Sequence, residues 1–276
     1  MTTQHYVSDT FPQYHHDIIM NLHKEYSLAG KRILDVGGSN IPGELMHKLG
    51  VKQFICLDPV TKWWGGSQDK DVPPAMKFGK KVYSSNDIDY SLPDEFCFII
   101  DVDIEDASNI FDNYFDIIVS ISTFEHVTSI RKSLQTIHKF LRSGGILHSQ
   151  YEPIFSSPMG HHCYLNDDIN FVKLRELDNI HLLYTKEEAL EFLHKTVDWP
   201  DELKDRVLRQ IFDFPKINKK TLNEHVLEIM NSPFNRYSLE YFYRVASAPA
   251  VQARLIEKFG FMRFDVRGIK LRCIKD

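Results

Sequence analysis

Thirteen histidines stand among 276 residues, about twice the usual share. Three of them fall where chemistry is at hand. His126, in STFEHV, follows an apolar run at 115–120, and His161-His162, in SSPMGHHCY, follow another at 145–150. Imidazole titrates near neutrality, which suits it to taking a proton from a hydroxyl. Together with Glu125, His126 and either His161 or His162 also form a candidate ligand set for a divalent metal, which would lower the pKa of a bound hydroxyl. Tyr151, Glu152, Tyr164, Asn166, Asp167 and Asp168 add polar groups suited to a hydroxyl-rich acceptor. His15-His16 read as a solvated or lid pair on an early helix, and the other histidines receive no role.

These groups lie far apart in the chain, so a framework must gather them. Apolar runs at 31–36, 53–57, 96–100, 115–120 and 145–150 alternate with helical segments. In 128–142, Ile130, Leu134, Ile137 and Leu141 recur at helical spacing, and Gly144-Gly145 supply a stop. Short runs alternating with helices predict an α/β fold, a doubly wound, mostly parallel sheet with helices on both faces. In such sheets ligands bind beyond the carboxyl ends of the strands. Gly37-Gly38-Ser39, Asp58, Asp103 and Ser120 all fall there.

The rhythm changes after the fifth run. Residues 156–248 read as helical, with capping-box spacing at Thr185–Glu188 and Thr221–Glu224. A helix at 251–259 and a hairpin of 262–266 and 269–274, parted by Gly268, then close the fold. The expected organisation is a core of 1–155 and 249–276 with a helical insertion, a substrate cap, at 156–248.

Composition narrows the class. Lys+Arg 33 against Asp+Glu 38 gives a net charge of −5, which disfavours non-specific nucleic-acid binding and a polybasic membrane role. The four cysteines (Cys56, Cys97, Cys163, Cys273) form no CxxC pair, and no apolar stretch is long enough to span a membrane. The chain reads as soluble, reduced and cytoplasmic.

The window ILDVGGSNIPGEL lacks the GxGxxG dinucleotide fingerprint. It resembles motif I of the class I S-adenosylmethionine-dependent methyltransferases, which share a seven-stranded Rossmann-like sheet. The resemblance continues through FICLDP, DVDIED, FDIIVSISTFEHV and KFLRSGGILHSQ, over about residues 31–151. It implies that Asp35 and the Gly37-Gly38-Ser39 turn hold the methionine part of the cofactor, where absence of bulk lets the backbone approach. Asp58 would accept from both ribose hydroxyls and Asp103 from the adenine amino group, with Ile104 against the ring and Ser120 lining the pocket. The family often has glycine where Ser39 and Ile41 stand. Some relatives carry a metal-binding ExxEH; here Ser122 replaces the first glutamate, which removes one ligand.

The resulting expectation is S-adenosylmethionine-dependent O-methylation of a small polar metabolite or sugar, with His126, His161 or His162 as general base. Metal-assisted O-methylation, a nucleic-acid acceptor, and a non-catalytic scaffold that keeps the fold remain the alternatives. The NPPY-type motif of many amide and adenine N-methylating relatives is absent after the fourth run, which reads SISTF.

Overall fold

The computed structural model describes residues 11–37, 40–64, 80–88, 95–166, 168–213 and 217–276. Each expected parallel run forms a strand: β1 (Arg32–Val36), β2 (Gln53–Leu57), β4 (Cys97–Asp101), β5 (Phe115–Ile121) and β6 (Leu141–Tyr151). With β3 (Lys81–Ser84), β7 (Arg236–Arg244) and β8 (Val266–Ile274) they make one eight-stranded sheet of order β3-β4-β2-β1-β5-β6-β8-β7. The sheet thus has one strand more than the seven expected. Strands β1 to β6 run parallel, and β8 runs antiparallel to both β6 and β7.

Period-two alternation divides the apolar side chains between the two faces of the sheet. Leu34, Val36, Ile55, Phe98 and Ile118 join one core, while Ile33, Phe54, Cys56, Ile99 and Val119 join the other. On the first face lies α4 (Ile130–Phe140), whose Ile130, Leu134, Ile137 and Phe140 are fully buried. Its N-cap Ser129 accepts from the Lys132 amide. On the second face lie α1 (Gln13–Tyr26), through Ile18, Ile19 and Leu22, and the short α2 (Gly43–Lys48), through Leu45 and Met46.

After β6 the chain builds a further apolar core around Cys163, Leu174, Leu177, Leu193, Val207 and Ile211. It involves the short α5 (Ile180–Leu183), α6 (Lys186–Thr196) and α7 (Asp201–Leu208). Helix α8 (Leu222–Met230) returns to the main core through Leu222 and Ile229. Both expected capping boxes, Thr185–Glu188 and Thr221–Glu224, are formed.

Three expectations need correction. The stretch 156–248 is not all helical, because β7 belongs to the main sheet. The hairpin expected at 262–274 is one strand, β8, whose antiparallel partner β7 precedes α9 (Pro249–Phe259). Gly268 sits inside that strand beneath Phe242: a Cβ there would lie 2.4 Å from Phe242 Cζ. Gly144-Gly145 are not the stop of α4, which ends at Phe140 as Leu141 turns extended and begins β6.

Candidate active site

The strand order reverses direction between β1 and β5, and a cavity of about 430 Å³ opens there, beyond the carboxyl ends of the strands. Its first wall is Val36 and Gly37 from β1 with Leu57 and Asp58 from β2. Asp103, Ile104 and Glu105 follow from the end of β4, with Lys62 of α3 (Val60–Trp64) above them. Ser122, Thr123 and His126 come from the loop after β5. His162 and Tyr164 reach in from the connection after β6.

Gly37 takes φ +80, and a Cβ on it would lie 2.3 Å from Thr123 Oγ1. Only glycine lets the turn after β1 pass this close to the β5 loop. Behind it, Asp35 is 2% exposed and its Oδ2 has no hydrogen-bond partner. Burial raises its carboxyl to about 8; nearby Lys80 opposes the shift and Asp58 reinforces it. Asp58, itself buried, borders the cavity directly. Asp103 accepts from Lys62 Nζ at 2.8 Å and from the Glu105 amide at 3.2 Å. Glu105 in turn receives the amides of Thr128 and Ser129, each at 2.9 Å, which ties the β4 loop to the β5 loop.

His126 and His162 meet across the cavity with ring centroids 5.2 Å apart and planes inclined by 32°. Residues that follow five strands therefore converge on one hollow, with Asp58, Asp103 and Glu105 on one side and two imidazoles on another. Residues 34–149 match the family model of a methyltransferase domain. This stretch is a methyltransferase domain. No curated protein matches the sequence.

The chain is also similar to solved structures. One is an S-adenosylmethionine-dependent methyltransferase from Mesorhizobium loti, 15% identical, with 90% of this chain and 93% of that one covered and a TM-score of 0.47. Another is phosphoethanolamine N-methyltransferase 2 of Haemonchus contortus in complex with S-adenosyl-L-methionine, 12% identical over 96% of this chain and 55% of that one, TM-score 0.49. A third is an S-adenosylmethionine-dependent methyltransferase from Archaeoglobus fulgidus, 14% identical over 94% of each chain, TM-score 0.45.

The methyltransferase domain gathers some of the residues expected from the sequence and leaves others aside. Gly37, Asp58, Asp103, Ile104, His126 and His162 line the cavity. Gly38, Ser39 and Asp167 lie outside the described residues. Ser120, expected in the pocket wall, is fully buried and donates to the Val36 carbonyl at 2.9 Å, so it joins β5 to β1. His161 is turned inward, away from His162: it is 2% exposed, accepts from the Cys163 amide at 3.1 Å and faces His181. Burial holds its imidazole well below the usual range, with His181 and His162 adding to the effect.

Glu125 is 1% exposed, and burial pushes its carboxyl well above the carboxylate range. Among the described residues no three His, Cys, Asp or Glu side chains converge as metal ligands. His15 and His16, expected in solvent or a lid, are instead both 4% exposed beside Phe11, and burial lowers the His15 imidazole to about 4.

Several contributors escaped the sequence reading. Lys62 and Thr123 act through contacts that no local pattern announces. Glu105 carried a partial signal, two positions after Asp103 in DVDIED. Tyr14 reaches from α1 to Ser122 in the cavity wall, hydroxyl to hydroxyl at 3.2 Å.

Proposed function

We propose that this S-adenosylmethionine-dependent methyltransferase acts on a hydroxyl of a small polar acceptor, with His126 as general base and His162 beside it. The supporting observation is the pair of imidazoles converging in the wall of the cavity that Gly37, Asp58 and Ile104 border. S-Adenosylmethionine supplies, when bound, a methyl group on a sulfonium.

The residues present fit that molecule. Gly37 leaves a cradle that a Cβ would fill, and the buried Asp35 Oδ2 lacks a protein partner. Asp58 offers two acceptor oxygens for vicinal ribose hydroxyls. Asp103 stands for the adenine amino group, and the nearly buried Ile104 supplies apolar contact for a planar base. His126 accepts the proton of the acceptor hydroxyl as it becomes nucleophilic. His162 and Tyr164 bring the segment after β6 to the acceptor side, consistent with a cap that selects the acceptor.

Two measurements test this. Calorimetry with S-adenosylmethionine and with S-adenosylhomocysteine should give at least ~10-fold weaker binding in Asp58→Ala, because hydrogen bonds to a charged group contribute about 1.5–3 kcal/mol. Transfer of radiolabelled methyl should be scored over a panel of sugars, polyols and phenols, with the position of the label read by mass spectrometry. His126→Ala should lower turnover by roughly 10²–10⁴. A label found on nitrogen or carbon overturns the hydroxyl assignment; unchanged turnover in His126→Ala overturns the base.

A further inference from the structure

The loop after β5 carries His126 on one side and a row of backbone carbonyls on the other. Three of those carbonyls are taken by a single residue of the segment leading into α8. The Asn218 amide donates to the Glu125 carbonyl at 2.7 Å. Asn218 Nδ2 donates to the carbonyls of Phe124 at 2.9 Å and Val127 at 3.0 Å. Asn218 Oδ1 accepts the Lys220 amide at 3.0 Å, which locks the side chain in its own turn.

Carbonyls both before and after His126 are thus gripped at one point. The grip needs two donor hydrogens on one nitrogen and an acceptor beside it, which is the chemistry of a carboxamide. Neither aspartate nor serine supplies it.

The clamp is firmly mounted. Thr221 caps α8 three residues further on, and the Leu222 amide donates to the buried Ser156 hydroxyl at 3.0 Å. From the same helix, Glu228 accepts the Arg131 amide in the first turn of α4 at 2.9 Å. The segment 218–228 therefore holds the connection from β5 to α4 at both ends. Glu105 holds it from the cofactor side through Thr128 and Ser129.

We propose that Asn218 is a positioning residue for methyl transfer: it fixes the turn that aims His126 into the cavity and so ties the region after β6 to the reacting end of the site. The inference rests on His126 being the base, and the experiment separates the two.

The full chain is labelled at histidine Cε1, saturated with S-adenosylhomocysteine as the probe, and followed by NMR, with His126 assigned from the signal lost in His126→Ala. Asn218→Ala should shift or broaden the His126 signal while the His138 signal and the affinity for S-adenosylhomocysteine stay unchanged. In the methyl-transfer assay the same variant should lose about 10–100-fold in kcat with little change in KM, as expected for a misplaced catalytic group. Added to His126→Ala, it should cost less than about 3-fold, since groups that act as a unit are not additive.

Asn218→Asp keeps the size and the main-chain bond but turns an acceptor toward two carbonyls, so it should perturb His126 at least as much; it serves if the alanine variant does not fold. An unmoved His126 signal in the folded variants, or full multiplication of the two losses, overturns the positioning role. Full activity in His126→Ala, with the signal still displaced by Asn218→Ala, overturns the base assignment and with it the catalytic meaning of the clamp.

Discussion

His225 lies on α8, fully buried, with its Nδ1 3.0 Å from the hydroxyl of Tyr151 at the end of β6. Its Nε2 has no partner. Burial, helped by Lys220, pushes its imidazole down to about 3 from 6.5. The sign follows from proton linkage: below pH 6.5 the unfolded chain binds a proton that the native state refuses, so stability falls as pH falls, until pH nears 3. At pH 5 this one residue should have removed about 2 kcal/mol relative to pH 7.5, since each unit is worth about 1.4 kcal/mol.

His15, His148 and His181, each lowered to about 4 chiefly by burial, pull in the same direction. Asp35 and Glu125, raised by burial, oppose them. A difference experiment removes these common contributions. His225→Phe keeps a ring of similar shape, cannot titrate, and leaves the Tyr151 hydroxyl unpaired at a cost of about 1–3 kcal/mol. In urea denaturation the variant should be weaker at pH 7.5, yet lose about 2 kcal/mol less than the parent on moving to pH 5. Parallel curves, with the same loss on acidification in both proteins, would refute the claim that His225 is buried neutral.

Gly37→Ala should weaken S-adenosylhomocysteine binding in calorimetry by ~10-fold or more, because the new methyl meets Thr123 and φ +80 strains any side chain; the paired variant Gly37→Ala/Thr123→Gly should recover part of the loss. Thr221→Ala removes one half of the α8 capping box and should cost about 1 kcal/mol in chemical denaturation, with Thr221→Ser close to the parent.

The parallel strands and several residues that line the cavity were legible because their signals are local. β1, β2, β4 and β5 are β-rich apolar runs that end where polar residues begin, so Asp58, Asp103 and His126 could be placed at strand ends by counting. β7 was not legible. Its residues Arg236–Arg244 are largely exposed, and only Leu239 and Tyr241 reach the main core, so the apolar count that marks a buried strand is missing. Gly268 misled for the opposite reason: it looks like a turn, but the ring that fills its place comes from Phe242 on a neighbouring strand. His161 and His162 show a limit of another kind. Sequence sets both beside the cavity, while φ +47 at His162 sends two adjacent rings to different environments. Asn218 lies 91 positions from Val127, and nothing short of the tertiary fold brings them together.

The two outer strands of the sheet bear on how the protein behaves when crowded. Among the described residues β3 and β7 each pair with a single strand, which leaves one row of backbone donors and acceptors on each without a strand partner there. Such rows are templates for a strand from another molecule. Here β3 is four residues long and opens with Lys81, and β7 carries Arg236, Glu240 and Arg244 along its nine. A second molecule pairing on β7 would have to bring its strand against those charges. The side chains that made β7 hard to recognise as a strand therefore guard the sheet against growing from protein to protein.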